Sequence, residues 1–411
     1  MRASTSPQAN SRAVTMAVLV AALGYFVDIY DLLLFGIIRV ASLQDLGLSG
    51  AELTRTGLFL LDVQMAGMLV GGIVAGVIGD KRGRLSVLFG SIICYSLANV
   101  ANGFVTNVNQ YAVARFVAGL GLAGELGAGI TLVSELMKKE SRGYGTAIVA
   151  GVGILGAIVA SLVGEYWPWR TAYFIGGGLG LALLLLRVGV SESGMFAAAK
   201  QAATSRGNLL MLLLNGRRFR RYLSVILIGV PIWYVIALLI VMSPEIGGAM
   251  GMAQPPRAGR AILFAYSGLV FGDLGSGVLS QIFRTRKKIV AIFLLLTAAS
   301  IALYFSVGPQ SLTAFYACCF VLGLSTGYWA VFMTVASEQF GTNIRATVTT
   351  TAPNFVRGSV PLVTLLFRGL KPALGLVGAA IAVGALTLVV ALVALMALDE
   401  TYGKDLDYLE T

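Results

Sequence analysis

The sequence predicts an all-α membrane protein with twelve spanning helices in two pseudo-symmetric six-helix bundles. Three observations predict it. The 411-residue chain is 57% hydrophobic and 12% charged, whereas soluble domains carry about 25% charged residues. Apolar runs of roughly 20 residues, long enough to cross a bilayer, recur along the whole length. The chain also repeats itself: Gly67-x3-Gly71-x4-Gly76-Val77 returns as Gly268-x3-Gly272-x4-Gly277-Val278, and Glu135-x6-Arg142 returns as Glu338-x6-Arg345. Internal repeats of this kind build secondary transporters, and glycines at helical spacing let neighbouring helices approach closely.

The first run, 13–40, follows a polar tail, Met1–Arg12, and lacks a small-residue cleavage site behind a short apolar core. It is therefore a helix that stays. Runs at 54–79, 85–105, 109–137, 144–167 and 171–189 complete an N-terminal bundle over 1–189. A basic linker at 190–221 leads to runs at 222–243, 261–283, 288–307, 311–338, 346–368 and 373–398, a C-terminal bundle over 222–398 with a tail at 399–411.

Basic residues crowd alternate loops, as in Lys81-Arg82, Lys138-Lys139, Arg217-Arg218 and Lys287-Lys288, and Arg187 falls on the same side. The opposite loops hold scattered ones such as Arg39, Arg170, Arg260 and Arg368. This bias places both termini in the cytoplasm. It also accounts for the net charge of +11 without a nucleic-acid partner. Cys94, Cys318 and Cys319 lie inside apolar runs and predict no disulfide, and the chain has no histidine, so any proton must ride on carboxylates. No His/Cys/acid cluster has metal-ligand spacing and no Gly-x4-Gly-Lys-Ser/Thr loop is present. Neither metal nor cofactor is expected, and energy must come from an ion gradient or the substrate's own gradient.

Charges inside the spans carry the functional signal. Asp28 and Asp31 lie one turn apart in the first, where a carboxylate costs roughly 2.5–3.5 kcal/mol on insertion scales. Asp62, Arg115, Glu125, Asp273 and Arg357 join them. Several acids in one low-dielectric cavity cannot all ionise cheaply, which makes Asp31, Glu125 and Asp28 the candidate proton carriers. The competing reading is a fixed ion pair such as Asp31 with Arg115. Arginine stays charged at any relevant pH, and its planar fork suits a carboxylate or phosphate. Arg357, with Asn354 just before it, and Arg115 are therefore candidate anion contacts, against a buried Arg357–Asp273 pair. Tyr328 and Trp329, near mid-span, are candidates to wall the substrate, as are Trp233 and Tyr234, although such residues also gather at lipid interfaces. Tyr30, also a candidate substrate contact, either orients Asp31 or turns to a neighbouring helix.

Gly76-Val-Ile-Gly-Asp80-Lys-Arg-Gly83-Arg84 resembles the span 2–3 loop signature of the major facilitator superfamily, and Arg115-x3-Gly119-x-Gly121 resembles its span 4 motif. Phe26-Val-Asp28-Ile-Tyr30-Asp31, Gly124-Glu125-Leu-Gly127, Glu192-Ser-Gly-Met-Phe196 and Glu400-Thr-Tyr-Gly403 are similar to the metabolite:H+ symporter branch. That branch usually has Glu and Trp where this chain has Asp28 and Ile29. The Asp-x-Tyr-Asp run also resembles the phosphate and aromatic-acid symporters. The resemblance implies a central cavity lined by spans 1, 4, 7 and 10. It also implies a cytoplasmic latch of Asp80, Arg84, Glu135 and Arg142 that holds the outward-open state. The counterpart loop, Ser280–Arg286, lacks the acid, so a one-sided latch is expected. Superfamily antiporters usually show Gly-Pro where span 5 has Gly156-Ala157, which argues against a drug exchanger. The expectation is a lipid-embedded, monomeric, multi-pass inner-membrane protein that imports a small organic anion or carboxylate-bearing metabolite with protons by alternating access. A proton-coupled exporter of metabolites or drugs and a non-transporting membrane sensor are the alternatives.

Overall fold

The computed structural model describes residues 7–82, 84–125, 127, 129, 142–191 and 209–403, and among them every regular element is helical. The first half contains α1 (Pro7–Asp45), α2 (Gly50–Arg82), α3 (Arg84–Phe104), α4 (Val108–Leu122), α5 (Arg142–Tyr166) and α6 (Trp169–Ser191). The second contains α7 (Gly216–Tyr234), α8 (Ala258–Ile282), α9 (Lys287–Ser306), α10 (Leu312–Thr326), α11 (Trp329–Glu338), α12 (Thr342–Arg357) and α13 (Val360–Met396). Nine stretches among the described residues are long and apolar enough to cross a membrane. One of them, Thr347–Met396, is two spans joined at Gly375, whose φ of 69° and ψ of 177° suit a residue without a Cβ. Dividing it, and adding α4 and the shorter apolar part of α5, accounts for the twelve predicted spans.

Several spans are broken, and each break has a local cause. Pro231 sits inside α7, where it has no N–H to donate, and the chain continues as a π-helical segment, Val235–Ile240. Such segments cluster at functional sites. Span 10 breaks at Gly327–Tyr328 into α10 and α11, where Gly327 lies against Gly272 of α8 and a Cβ would come within 2.5 Å of the Gly272 Cα. Asp273 then accepts a hydrogen bond from the Ala330 N–H at 3.1 Å. An acid at the start of α11 satisfies a free donor and complements the helix dipole.

In the first half α1 packs on α5, α2 on α4, and α3 on α4 and α6. In the second, α8 packs on α10, α7 on α12 and α13, and α9 on α10 and α13. The halves meet through α5 with α8 and through α2 with α12 and α13. The repeated glycines have the same role twice: Gly67 and Gly71 lie on the α4 backbone at Phe116 and Leu120, and Gly268 and Gly272 on the α10 backbone at Phe320 and Leu324. Gly268→Ala is expected to destabilise the purified protein by about 1–3 kcal/mol, because backbone cannot retreat as a side chain can. The measurement is a lower melting temperature in detergent. Gly277→Ala, whose Cβ would meet nothing within 4 Å, should cost nothing. Phe271, Leu274, Val278 and Ile282 on α8 and Leu362 and Leu365 on α13 are exposed, an apolar exterior suited to lipid.

Candidate functional site

Gly24, Asp28 and Asp31 follow i, i+4, i+7 along one face of α1. Both aspartates are fully buried, and none of their four carboxylate oxygens makes a hydrogen bond. Asp31 lies within electrostatic reach of Arg115 and Asp28, beside the Asn99 amide. It approaches α6 at Gly176, where a Cβ would sit 2.5 Å from Oδ1. Arg115 on α4 is also buried, with all three guanidinium nitrogens unbonded, over the rings of Phe35 (5.1 Å) and Tyr173 (5.9 Å). Asn99, Asn102 and the Tyr95 hydroxyl on α3 are buried without a hydrogen-bond partner. Buried polar groups with no protein partner call for water or a ligand.

Asp28 faces the second half and lies within reach of Arg357 as well as Glu125. Arg357 ends α12, where the helix dipole favours a cation. It is 1% exposed, its Nε and Nη1 make no hydrogen bond, and it is flanked by Trp233 at 5.6 Å and Trp329 at 5.9 Å. Arg357 makes no ion pair with Asp273, which is engaged at the start of α11. Tyr25 stands within reach of Arg357, Asp28 and Asp273. The site thus has an arginine in each half: Arg115 beside Asp31, and Arg357 beside Asp28.

Several predicted residues have other partners. Glu125 is not an unpaired acid: it forms a buried ion pair with Arg187, whose Nη1 donates to Oε2 at 3.2 Å and to the Leu88 carbonyl at 3.1 Å. Arg187, counted from the sequence among the cytoplasmic-side cations near the end of the sixth span, is buried on α6 against Glu125. The Tyr30 hydroxyl donates to the Ala172 carbonyl at 2.9 Å, which ties α1 to α6 and leaves Asp31 unoriented by it. Tyr328 donates to the Ile228 carbonyl at 2.9 Å and braces the helix break. The Asn354 amide donates across the halves to the Ala123 carbonyl at 2.8 Å. Trp233, Tyr25, Asn99 and Arg187 join the site. Trp233 is already among the sequence's candidates for the substrate wall, whereas nothing in the sequence sets Tyr25, Asn99 or Arg187 apart.

The side chains of Asp80, Arg84 and Arg142 and the whole of Glu135 lie outside the described residues, as does the Glu192–Phe196 run. The counterpart in the second half is described, and the missing acid is supplied by the tail. Glu338 pairs with Arg286 at 3.3 Å, while Glu400 accepts from the Thr285 hydroxyl and from the Arg286 and Lys287 N–H groups. The acid that the Ser280–Arg286 loop itself lacks thus has a counterpart more than a hundred residues away. Burial pushes the Glu400 carboxyl up, but the bonds from Thr285 and from the backbone of Arg286, Tyr402 and Lys287 outweigh it and hold the group below the usual carboxylate range. Its stabilisation is thus present above that range and is lost as pH falls through the depressed value. Glu400→Gln should lower the melting temperature at pH 7, with the difference fading below about pH 4.

The end opposite the N-terminus is closed by ion pairs between the halves. Arg39 of α1 meets Glu245 at 2.6 Å, Glu165 of α5 meets Arg260 of α8 at 2.6 Å, and Asp62 of α2 meets Arg368 of α13. Asp62 also accepts from the Thr364 hydroxyl at 2.6 Å. Arg39 is 1% exposed and Arg260 is 50% exposed. Removing one partner of a buried pair costs about 3–5 kcal/mol, whereas an exposed pair is worth at most about 1 kcal/mol. Arg39→Ala should therefore open this end, measured as faster labelling of a cysteine at the buried Ser243 by an impermeant thiol reagent in a background free of native cysteines. Arg260→Ala should barely change that rate.

Comparison with known proteins follows the same lines. The family model described as Major Facilitator Superfamily matches residues 17–364. The chain is 29% identical over 336 residues to the probable 4-methylmuconolactone transporter of Cupriavidus pinatubonensis, covering 79% of this chain and 76% of that one. It is 28% identical over 341 residues to the 3-(3-hydroxy-phenyl)propionate transporter of Escherichia coli, covering 76% and 80%. The crystal structure of a D-xylose-proton symporter superposes with a TM-score of 0.68 at 17% identity, over 96% of this chain and all of that one, a likeness of fold.

Proposed function

The chain belongs to the major facilitator superfamily, a family of transporters, and on that premise we propose that it imports a small aromatic carboxylate together with protons across the inner membrane. The end bearing both termini is cytoplasmic in this reading, following the loop charge bias. The observation that carries the proposal is the pair of unbonded, buried aspartates on α1, each within reach of an arginine from a different half.

A substrate carboxylate suits the Arg357 fork, and its ring suits the indoles of Trp233 and Trp329 that flank the guanidinium. The printed substrates of the two relatives, a methylmuconolactone and a hydroxyphenylpropionate, support a cyclic or aromatic molecule. Asp28 stands where its charge competes with that carboxylate for Arg357. A proton on the Asp28–Asp31 pair removes the competing charge, so the loaded carrier binds the anion better than the unloaded one. Differential binding of this kind is what couples two ligands. Arg115 balances Asp31 in the first half.

The test uses the purified protein in liposomes with radiolabelled 3-(3-hydroxyphenyl)propionate or benzoate and an inward proton gradient. The expected result is accumulation above equilibrium that a protonophore abolishes. Stabilisation of the protein by neutral sugars alone, with no accumulation of carboxylates, would remove the anion reading.

A further inference from the structure

The Glu125–Arg187 pair is absorbed neither by the substrate site nor by the closure at the distal end. It is 1% and 3% exposed and lies against Gly24 of α1, one turn from Asp28. The charged and titratable groups that face Glu125 are Arg187 from α6, Tyr95 from α3 and Asp28 from α1. Arg187 has two anchors, Glu125 and the Leu88 carbonyl of α3, and so cannot swing away without breaking both.

We propose that Arg187 is a positioning residue for coupling: by pairing with Glu125 it keeps that acid out of proton exchange and sets the field at Asp28, so that the Asp28–Asp31 pair alone carries protons. The inference rests on the proton-symport reading. It departs from the sequence expectation that Glu125 is itself a carrier. A guanidinium stays charged throughout the working pH range, and that of Arg187 engages both oxygens of the Glu125 carboxylate. The pair is then a fixed dipole. Deleting either member leaves one uncompensated charge beside Asp28, with opposite signs in the two cases.

This sign reversal is the test. In liposomes, the pH midpoint of gradient-driven benzoate uptake is measured for the unaltered protein, Glu125→Gln, Arg187→Gln and the double variant, each checked for folding by its melting curve in detergent. Glu125→Gln leaves an unpaired cation near Asp28, disfavours the loaded carrier, and should move the midpoint down by about one pH unit. Arg187→Gln leaves an unpaired anion and should move it up. The double variant should return it to the original value, and Arg187→Lys, which keeps the charge, should stay close to it. General structural damage would not move two midpoints in opposite directions and then cancel. Loss of accumulation in both Glu125→Gln and the double variant would make Glu125 a carrier and overturn the proposal, as would midpoints that all coincide. If one single variant fails to fold, the other still decides, since its midpoint must move in the stated direction while that of the double variant does not. Uptake by the unaltered protein that ignores the proton gradient would instead sink the symport reading beneath it.

Discussion

Asp31→Asn should abolish accumulation of the carboxylate against its gradient while leaving exchange of labelled for unlabelled substrate across the liposome membrane. Asparagine is close to aspartic acid in shape and is permanently neutral, so the variant resembles the loaded carrier at every pH. Asp31 stands beside Arg115 and within reach of Asp28, and both of its oxygens are free of hydrogen bonds. Removing its charge should therefore leave no ladder of broken bonds behind. The pH dependence of substrate binding that remains should come from Asp28 alone, which still faces Arg357. Asp28→Asn should behave differently. It removes the carboxylate that competes for Arg357, so apparent affinity should rise most at alkaline pH, where the competitor is ionised. Interacting acids titrate as a pair, so the single variants need not share equally in the defect, but the double variant must lose all coupling. Gradient-driven accumulation that survives in Asp31→Asn, Asp28→Asn and the double variant would mean that the proton travels elsewhere.

The parts of this design that could be read from the sequence are those that violate bulk energetics. An ionised residue within an apolar run stands out because its insertion costs several kcal/mol, and Asp28, Asp31, Arg115 and Arg357 were legible for that reason. The glycine repeat was legible because helix spacing translates directly into backbone approach, as Gly67 and Gly268 show. Arg187 was not. It lies near the end of its helix, where a cation looks like one more loop charge, and only the three-dimensional position of Glu125 reveals it as a buried partner. The partners of Tyr30 and Tyr328 were not legible for a related reason: their hydroxyls bond to backbone carbonyls of α6 and α7. Every residue carries such an acceptor, so no pattern of side chains announces it. The acid that completes the loop after α8 comes from Glu400, far along the chain, and a repeat search that compares loop with loop cannot see it. The break at Gly327 was hidden because the apolar run continues through it.

Arg357→Ala should weaken substrate binding by about 2–5 kcal/mol, roughly 30-fold or more in apparent affinity, since it truncates the charged partner of a buried anion. Arg357→Lys separates charge from geometry. Lysine keeps the positive charge but loses the planar fork and the stacking between Trp233 and Trp329, so it should recover part of the affinity while discriminating less between aromatic and aliphatic carboxylates. Removal of the walls gives the complementary result. Trp329→Leu, whose indole also stacks on Phe332 at 4.9 Å, should lower affinity for benzoate more than for acetate, because only the ring has something to stack on. The proton dependence adds an independent check. With Arg357 gone, Asp28 no longer competes for the cation on which the anion depends, so the residual binding of Arg357→Ala should lose most of its pH dependence, whereas Arg357→Lys should retain it. Equal affinities for Arg357→Ala and the unaltered protein in a binding titration would place the anion elsewhere and leave Arg115 as the remaining guanidinium for it.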